Sequence, residues 1–456
     1  MPRRRFAALL AFAALVAGSA LLPTTASGAP CSSPQAMPPL TFGTPKIVDA
    51  VRAGGEPSVQ GLPDGSLLYS AHAGTTHIYK SNMPDPDFFT PYEGSDYVWR
   101  SADGGATWSY IGVAGTGAGP HAGPGFSDPA FAVDKVGNVY VAGIDLSNVY
   151  VAKSSDSGQT WLGNPVAALI TDREWLAADE ANVVYMNGNE ERRGRMLWKS
   201  TDGGVSWNFS GGVKLPGSGP PSPMTVDQSD GRLYFPMGDG GNIAVYPSAR
   251  SDTFTPVVYG TVPGGLPHVH GFLNPLAVDA AGNAYVVSNT DKTIKVSYST
   301  DRGLTWTTNT IHSGTTSVLW PWVSAGADGR VAVSWLQSDT GASDNSQAHG
   351  NFRVYSAQSI TGHGWTDTCN AKQPPVYEGA LSSSGVVHSG EICQQGLSCN
   401  VSIGPSSDRR LGDYLTNSLT ADGRLVVAYA TTTFKPSGAI AHPAFVAETG
   451  GLDFFP

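Results

Sequence analysis

Charge is what this chain has least of. Asp, Glu, Lys and Arg make up 14% of its 456 residues, with 27 basic residues against 37 acidic ones and a net charge of −10. A surface of that sign repels phosphate backbones and anionic headgroups, so neither nucleic acid nor membrane is an expected partner. Cysteine is scarce as well. Cys31, Cys369, Cys393 and Cys399 are the four present, with no Cys-x-x-Cys and no Cys/His cluster to suggest structural zinc. Long apolar runs are missing after the first residues. The stretch from Phe6 to Leu22 is short and Ala-rich for a spanning helix. It follows Arg3, Arg4 and Arg5 and precedes Ala26, Ser27, Gly28 and Ala29, so residues 1–29 read as a signal peptide and the chain as secreted, with an uncleaved anchor as the alternative. An even cysteine count in an exported chain predicts two disulfides. Of three connectivities, Cys393 with Cys399 and Cys31 with Cys369 is preferred.

Glycine and aromatics are plentiful: 56 Gly, 11 Trp, 17 Tyr and 16 Phe. Few charges and many turn residues suit an all-β chain. Four stretches repeat Ser-x-Asp-x-Gly-x-Ser/Thr-Trp, beginning at Ser101, Ser154, Ser200 and Ser299. The Asp, at 103, 156, 202 and 301, can accept bonds from its own turn, the Gly supplies a positive φ, and the Trp packs the turn on the sheet. These aspartates are therefore expected to be staples and not catalysts.

A second repeat pairs a polar-plus-Pro or aromatic start with a β run and a Gly turn. It begins at Glu56-Pro57, Asp128-Pro129, Glu174-Trp175, Ser222-Pro223, Asn274-Pro275, Pro321-Trp322 and Asp413-Tyr414. With markers at 57, 129, 175, 223, 275, 322 and 414, the intervals are 72, 46, 48, 52, 47 and 92. A pitch near 48 fits one four-stranded antiparallel blade of a β-propeller. Residues 30–456 are thus expected to form a single β-propeller of seven blades, or six if the first and last units share one. Insertions fall near 80–125 and 338–410, and the segment Pro45–Ala50 is a candidate outer strand for the last blade. A closed ring predicts a monomer.

The Ser-x-Asp-x-Gly motif is the Asp-box, and the chain resembles the sialidase-like propellers of secreted bacterial type that carry this repeat. The resemblance implies a sialidase-like glycoside hydrolase with a carbohydrate or glycoconjugate substrate. Tyr414-Leu-Thr-Asn-Ser-Leu419 followed by Asp422-Gly resembles the segment bearing the sialidase nucleophile, which would make Tyr414 the nucleophile and Glu174 its proton acceptor. The opening blade departs from the family, since Gly55 and Glu56 stand where an Arg-Ile pair is expected. Asp85 and Asp87 lie where the general acid would be.

Loops entering the innermost strands build the usual site of such a ring. The residues expected to converge there are Glu56, Asp128, Arg173, Glu174, Asn274, Trp320, Trp322, Asp413 and Tyr414, with His121, His268, His270, Arg409 and Arg410 from the preceding loops. Carboxylates would divide acid and base roles. Arg173, Arg353 and Arg410 would hold an acidic sugar, and the tryptophans would stack on sugar rings. No cofactor is expected. A metal on His268 and His270 with Asp128 or His121, and a structural calcium in the loop Met237–Asn242, are the alternatives. Two other functions fit the same mouth: a non-catalytic propeller binding glycans or proteins, and a polysaccharide lyase using His and Tyr.

Overall fold

The computed structural model describes residues 38–72, 96–113, 127–144, 149–166, 171–217, 221–237, 241–247, 249–251, 258–266, 273–362, 377–378, 385–394, 408–434 and 440–456. The expected leader, Asp85, Asp87, His121, Asp239, His268, His270, Cys31, Cys369 and Cys399 lie outside these residues. Cys393 is buried and is not a free thiol.

Seven antiparallel sheets form seven blades in chain order, and no α-helix occurs among the described residues. Blade one runs Gly55–Gly61, Leu67–His72, Asp96–Ser101 and Ser109–Val113 from the channel outward. The inner strands of blades two to seven are Ser127–Val133, Thr171–Ala178, Thr225–Asp227, Leu276–Val278, Val318–Ala325 and Thr416–Leu419. The ring closes in the last blade. His442–Gly450 is its third strand, and Thr41–Phe42 and Lys46–Ile47 from the start of the chain pair with it on the outside.

Second strands such as Leu67–His72 and Val139–Ile144 are buried at every residue, because neighbouring blades cover both of their faces. That is why they read as continuous apolar runs and not as alternating ones. Large aromatics fill the seams. Trp108 of blade one meets Phe445 of blade seven edge to face at 5.1 Å.

The four Ser-x-Asp-x-Gly turns join the third and fourth strands of blades one, two, three and five. Their chemistry repeats closely. The Ser hydroxyl accepts from the Gly N–H at 2.8 Å in all four. Each Asp Oδ1 accepts the backbone N–H of the residue four positions after it, at 2.9 Å, and Oδ2 accepts the Thr or Ser hydroxyl of that same residue. Hydrogen bonds led by the Thr107 hydroxyl hold Asp103 down to about 2. Glycine is required here: Gly105 has φ +89°, and a Cβ on it would come within 2.1 Å of Phe445. A third strand runs away from the end where inner strands begin, so these turns lie on the opposite face from the inner-strand starts.

Candidate functional site

The inner strands of four blades begin with the same distortion. Glu56, Asp128, Arg173 and Trp320 have φ of +48°, +58°, +57° and +55°. Pairing with the second strand slips at each place, between Gly55 and Ser58, Ser127 and Ala130, Asp172 and Trp175, and Leu319 and Trp322. A non-glycine residue held there costs about 1–3 kcal/mol and is tolerated where the surroundings dictate it. These register slips are β-bulges, and those of blades one, two and three bring Glu56, Asp128 and Arg173 together at the mouth of the channel. Gly412, with φ +78°, holds the corresponding place in blade seven.

The bulges correct the repeat frame. The residue after the strained one is Pro57, Pro129 and Pro321 in blades one, two and six, but Glu174 in blade three and Asp413 in blade seven, while Pro223 and Pro275 hold the same sequence place in blades four and five. Proline suits a bulge because it has no N–H to leave unpaired. The markers Trp175, Trp322 and Tyr414 belong one residue further along. They form an aromatic tier inside the ring, with Tyr414 5.4 Å from Trp175 and 5.9 Å from Trp322 between ring centroids. Trp175 and Trp322 roof a channel cavity of about 630 Å³, lined by the inner strands down to Phe455.

Above the tier lies a buried charge cluster. Asp413 receives both guanidinium nitrogens of Arg409, Nη2 at 2.7 Å, and Nη2 of Arg173 at 3.0 Å. Glu56 Oε2 lies 2.8 Å from His72 Nε2 and accepts the Asp128 N–H at 3.3 Å, while Arg409 stands 3.7 Å from Glu56 Oε1. Glu174 is fully buried, and no other described residue donates a hydrogen bond to its carboxyl. Burial, then the neighbouring Asp128, push its carboxyl well above the usual range. Asp128 is raised by burial and by Glu56, and Asp96 by burial and by Glu56.

Tyr414 takes part differently from the expectation. Its hydroxyl donates to the Pro129 carbonyl at 3.2 Å, its ring is buried, and burial with the surrounding carboxylates pushes the phenol well above 10. Both features oppose a phenolate nucleophile. Arg410 is bound to Asp408, so Arg409, its neighbour, is the arginine that reaches the cluster. Arg353 is on the third strand of blade six opposite Gln337, where its charge acts on Asp339. Trp320 packs into the seam between blades six and seven with Leu319, Phe352 and Leu411. Two residues of the cluster were not anticipated. His72 ends the second strand of blade one, and Asp96 opens the third directly opposite it. The available signal was a polar residue at the mouth end of each of two strands.

Among the described residues no group of three or more His, Cys, Asp or Glu is placed to hold a metal. No protein-family model and no curated protein matches the chain. Solved structures resemble it over most of its length. A fungal alcohol oxidase of the AA5 family in complex with copper shares 11% identity at TM-score 0.51, over 90% of this chain and 76% of that one. A Hadza microbial sialidase shares 14% at TM-score 0.43, over 87% and 65%. An α-L-arabinofuranosidase from Fusarium graminearum shares 15% at TM-score 0.40, over 90% and 97%. At such identities the likeness is one of fold: this chain is a seven-bladed β-propeller.

Proposed function

We propose that the chain is a glycan-active enzyme, a glycoside hydrolase with Glu174 as general acid and Glu56 as its ionised partner. The observation that carries this reading is the opposed environments of two buried carboxyls at one mouth. Glu174 receives no hydrogen bond from any other described residue. Glu56 has His72, the Asp128 N–H and Arg409 around it. Burial without donors favours a protonated carboxyl, and donors favour a carboxylate. Acid and base roles are divided between such pairs in glycoside hydrolysis. Glu174 also stands where five blades carry proline, so the repeat itself does not call for it. Asp128 lies between the two and repels charge on both.

The test is hydrolysis of a panel of aryl glycosides by the native chain, Glu174→Gln and Glu56→Gln, with thermal melting of each. Turnover by the native chain, reduced about 10²–10⁴-fold in each folded variant, supports the reading. Turnover that neither substitution touches removes the site assignment. The second reading is a non-catalytic glycan-binding propeller, favoured by the burial of Glu56, Asp128 and Asp413 at 4% exposure or less. Sugar binding without turnover on any substrate would establish it.

A further inference from the structure

The arginines of the mouth are already occupied by the chain's own carboxylates. Asp413 takes Arg409 through both guanidinium nitrogens and Arg173 through one, and Asp408 takes Arg410. A sugar carboxylate arriving there would have to displace Asp413, and it would meet Glu56 and Asp128 as well. Like charges brought together in a buried site raise the free energy of the complex.

The opposite arc of the mouth has a different character. Asn187 lies directly across from Trp175, the residue after Glu174, and donates through Nδ2 to the Ser222 carbonyl at 3.1 Å. Ser222 Oγ accepts the Asn274 N–H at 3.0 Å, and Asn274 Nδ2 donates to the Val287 carbonyl at 3.3 Å. Blades three, four and five are thereby linked through neutral side chains. Among the described residues no donor reaches the buried amide oxygens of Asn187 and Asn274. Asn187 and Asn274 are 0% and 1% exposed. Buried acceptors without donors are rare in folded proteins, and each one asks for a partner.

We propose that this arc is a subsite for a neutral sugar whose hydroxyl groups donate to Asn187 Oδ1 and Asn274 Oδ1, and that the mouth rejects sialic acid and uronic acids. The inference rests on the glycan-directed reading above and names its substrate class. It replaces the acidic-sugar role expected of Arg173 and Arg410 from the sequence. A donor-rich, uncharged ligand satisfies the orphaned oxygens without adding charge beside Glu56, Asp128 and Asp413. A site built of unpaired acceptors discriminates strongly against ligands that leave them unpaired.

The experiment is equilibrium binding by calorimetry to the full chain, with methyl glycosides of neutral hexoses and pentoses set against sialic acid and glucuronic acid. Neutral glycosides are expected to bind at least about tenfold more tightly than either acid. Asn274→Ala and Asn187→Ala, each confirmed folded by melting, are expected to weaken neutral binding by about tenfold, one lost hydrogen bond. Asp413→Asn releases two guanidiniums and is expected to raise affinity for the acids. Acids binding as tightly as neutral sugars, or neutral binding unchanged in both asparagine variants, would overturn the inference while leaving the turnover result standing. Neutral binding with no turnover would overturn the hydrolase reading alone. Because the comparison of sugars uses the native chain, a variant that fails to fold does not remove the test.

Discussion

Tyr414 shows how one side chain changes meaning between chain and fold. Its hydroxyl is used by the Pro129 carbonyl and its ring by Trp175 and Trp322. A phenol already buried among carboxylates gains nothing by ionising. Tyr414→Phe should therefore cost about 1 kcal/mol, the net value of one hydrogen bond, and leave turnover intact. Urea unfolding and an aryl-glycoside assay measure the two quantities. A loss of turnover by orders of magnitude would return Tyr414 to the nucleophile role that its segment suggested. Glu174 carries the opposite lesson. It sits at the bulge of blade three, and no other described residue donates a hydrogen bond to it.

At the scale of elements, the bulge at the head of the inner strands of blades one, two, three and six is the unit that builds the mouth. It was only partly legible. The Pro-containing starts gave the correct pitch, because proline marks the place where a ladder bond is absent. Blades three, six and seven were set one residue late, since Glu174 and Asp413 replace the proline and the neighbouring aromatics drew the frame toward themselves. The four Ser-x-Asp-x-Gly turns were fully legible, because everything they need lies within eight consecutive residues. His72 and Asp96 were hidden because their meeting depends on strand register across a long insertion. The start of blade seven offers a direct test. A Cβ on Gly412 would fall 2.2 Å from Glu56 Cγ, at φ +78°. Gly412→Ala should destabilise the fold by about 1–3 kcal/mol through strain and crowding, and it should lower turnover further than stability alone explains, because Glu56 is displaced. Activity that simply tracks the melting temperature would argue against Glu56 as a working group.

For the whole molecule, ring integrity depends on seams between blades, and one of these is sensitive to pH. Glu448 of blade seven accepts from Gln358 of blade six at 2.9 Å and from the Leu425 N–H at 2.9 Å, with its other oxygen buried and unpartnered. Burial raises its carboxyl to about 7. Below the ordinary glutamate value both folded and unfolded chains hold the proton, and the seam has its full strength. Between about 4.5 and 7 the unfolded chain ionises first, so stability falls as pH rises, by up to about 3 kcal/mol. Glu448→Gln should match the native chain at pH 4 and melt higher at pH 8; equal melting at pH 8 would refute this. Closure by Lys46–Ile47 was legible from the unfinished last blade, whereas the added pairing of Thr41–Phe42 was not. The mouth's charge balance was not legible, because it is set by residues from four blades meeting in space. The central claim, that Glu174 gives up a proton at that mouth, is tested most directly by the pH profile of kcat for the native chain and for Glu174→Gln on an aryl glycoside. The account predicts a basic limb above the ordinary carboxylate range in the native chain and its disappearance, with turnover, in the variant. A variant that keeps both turnover and that limb would contradict it.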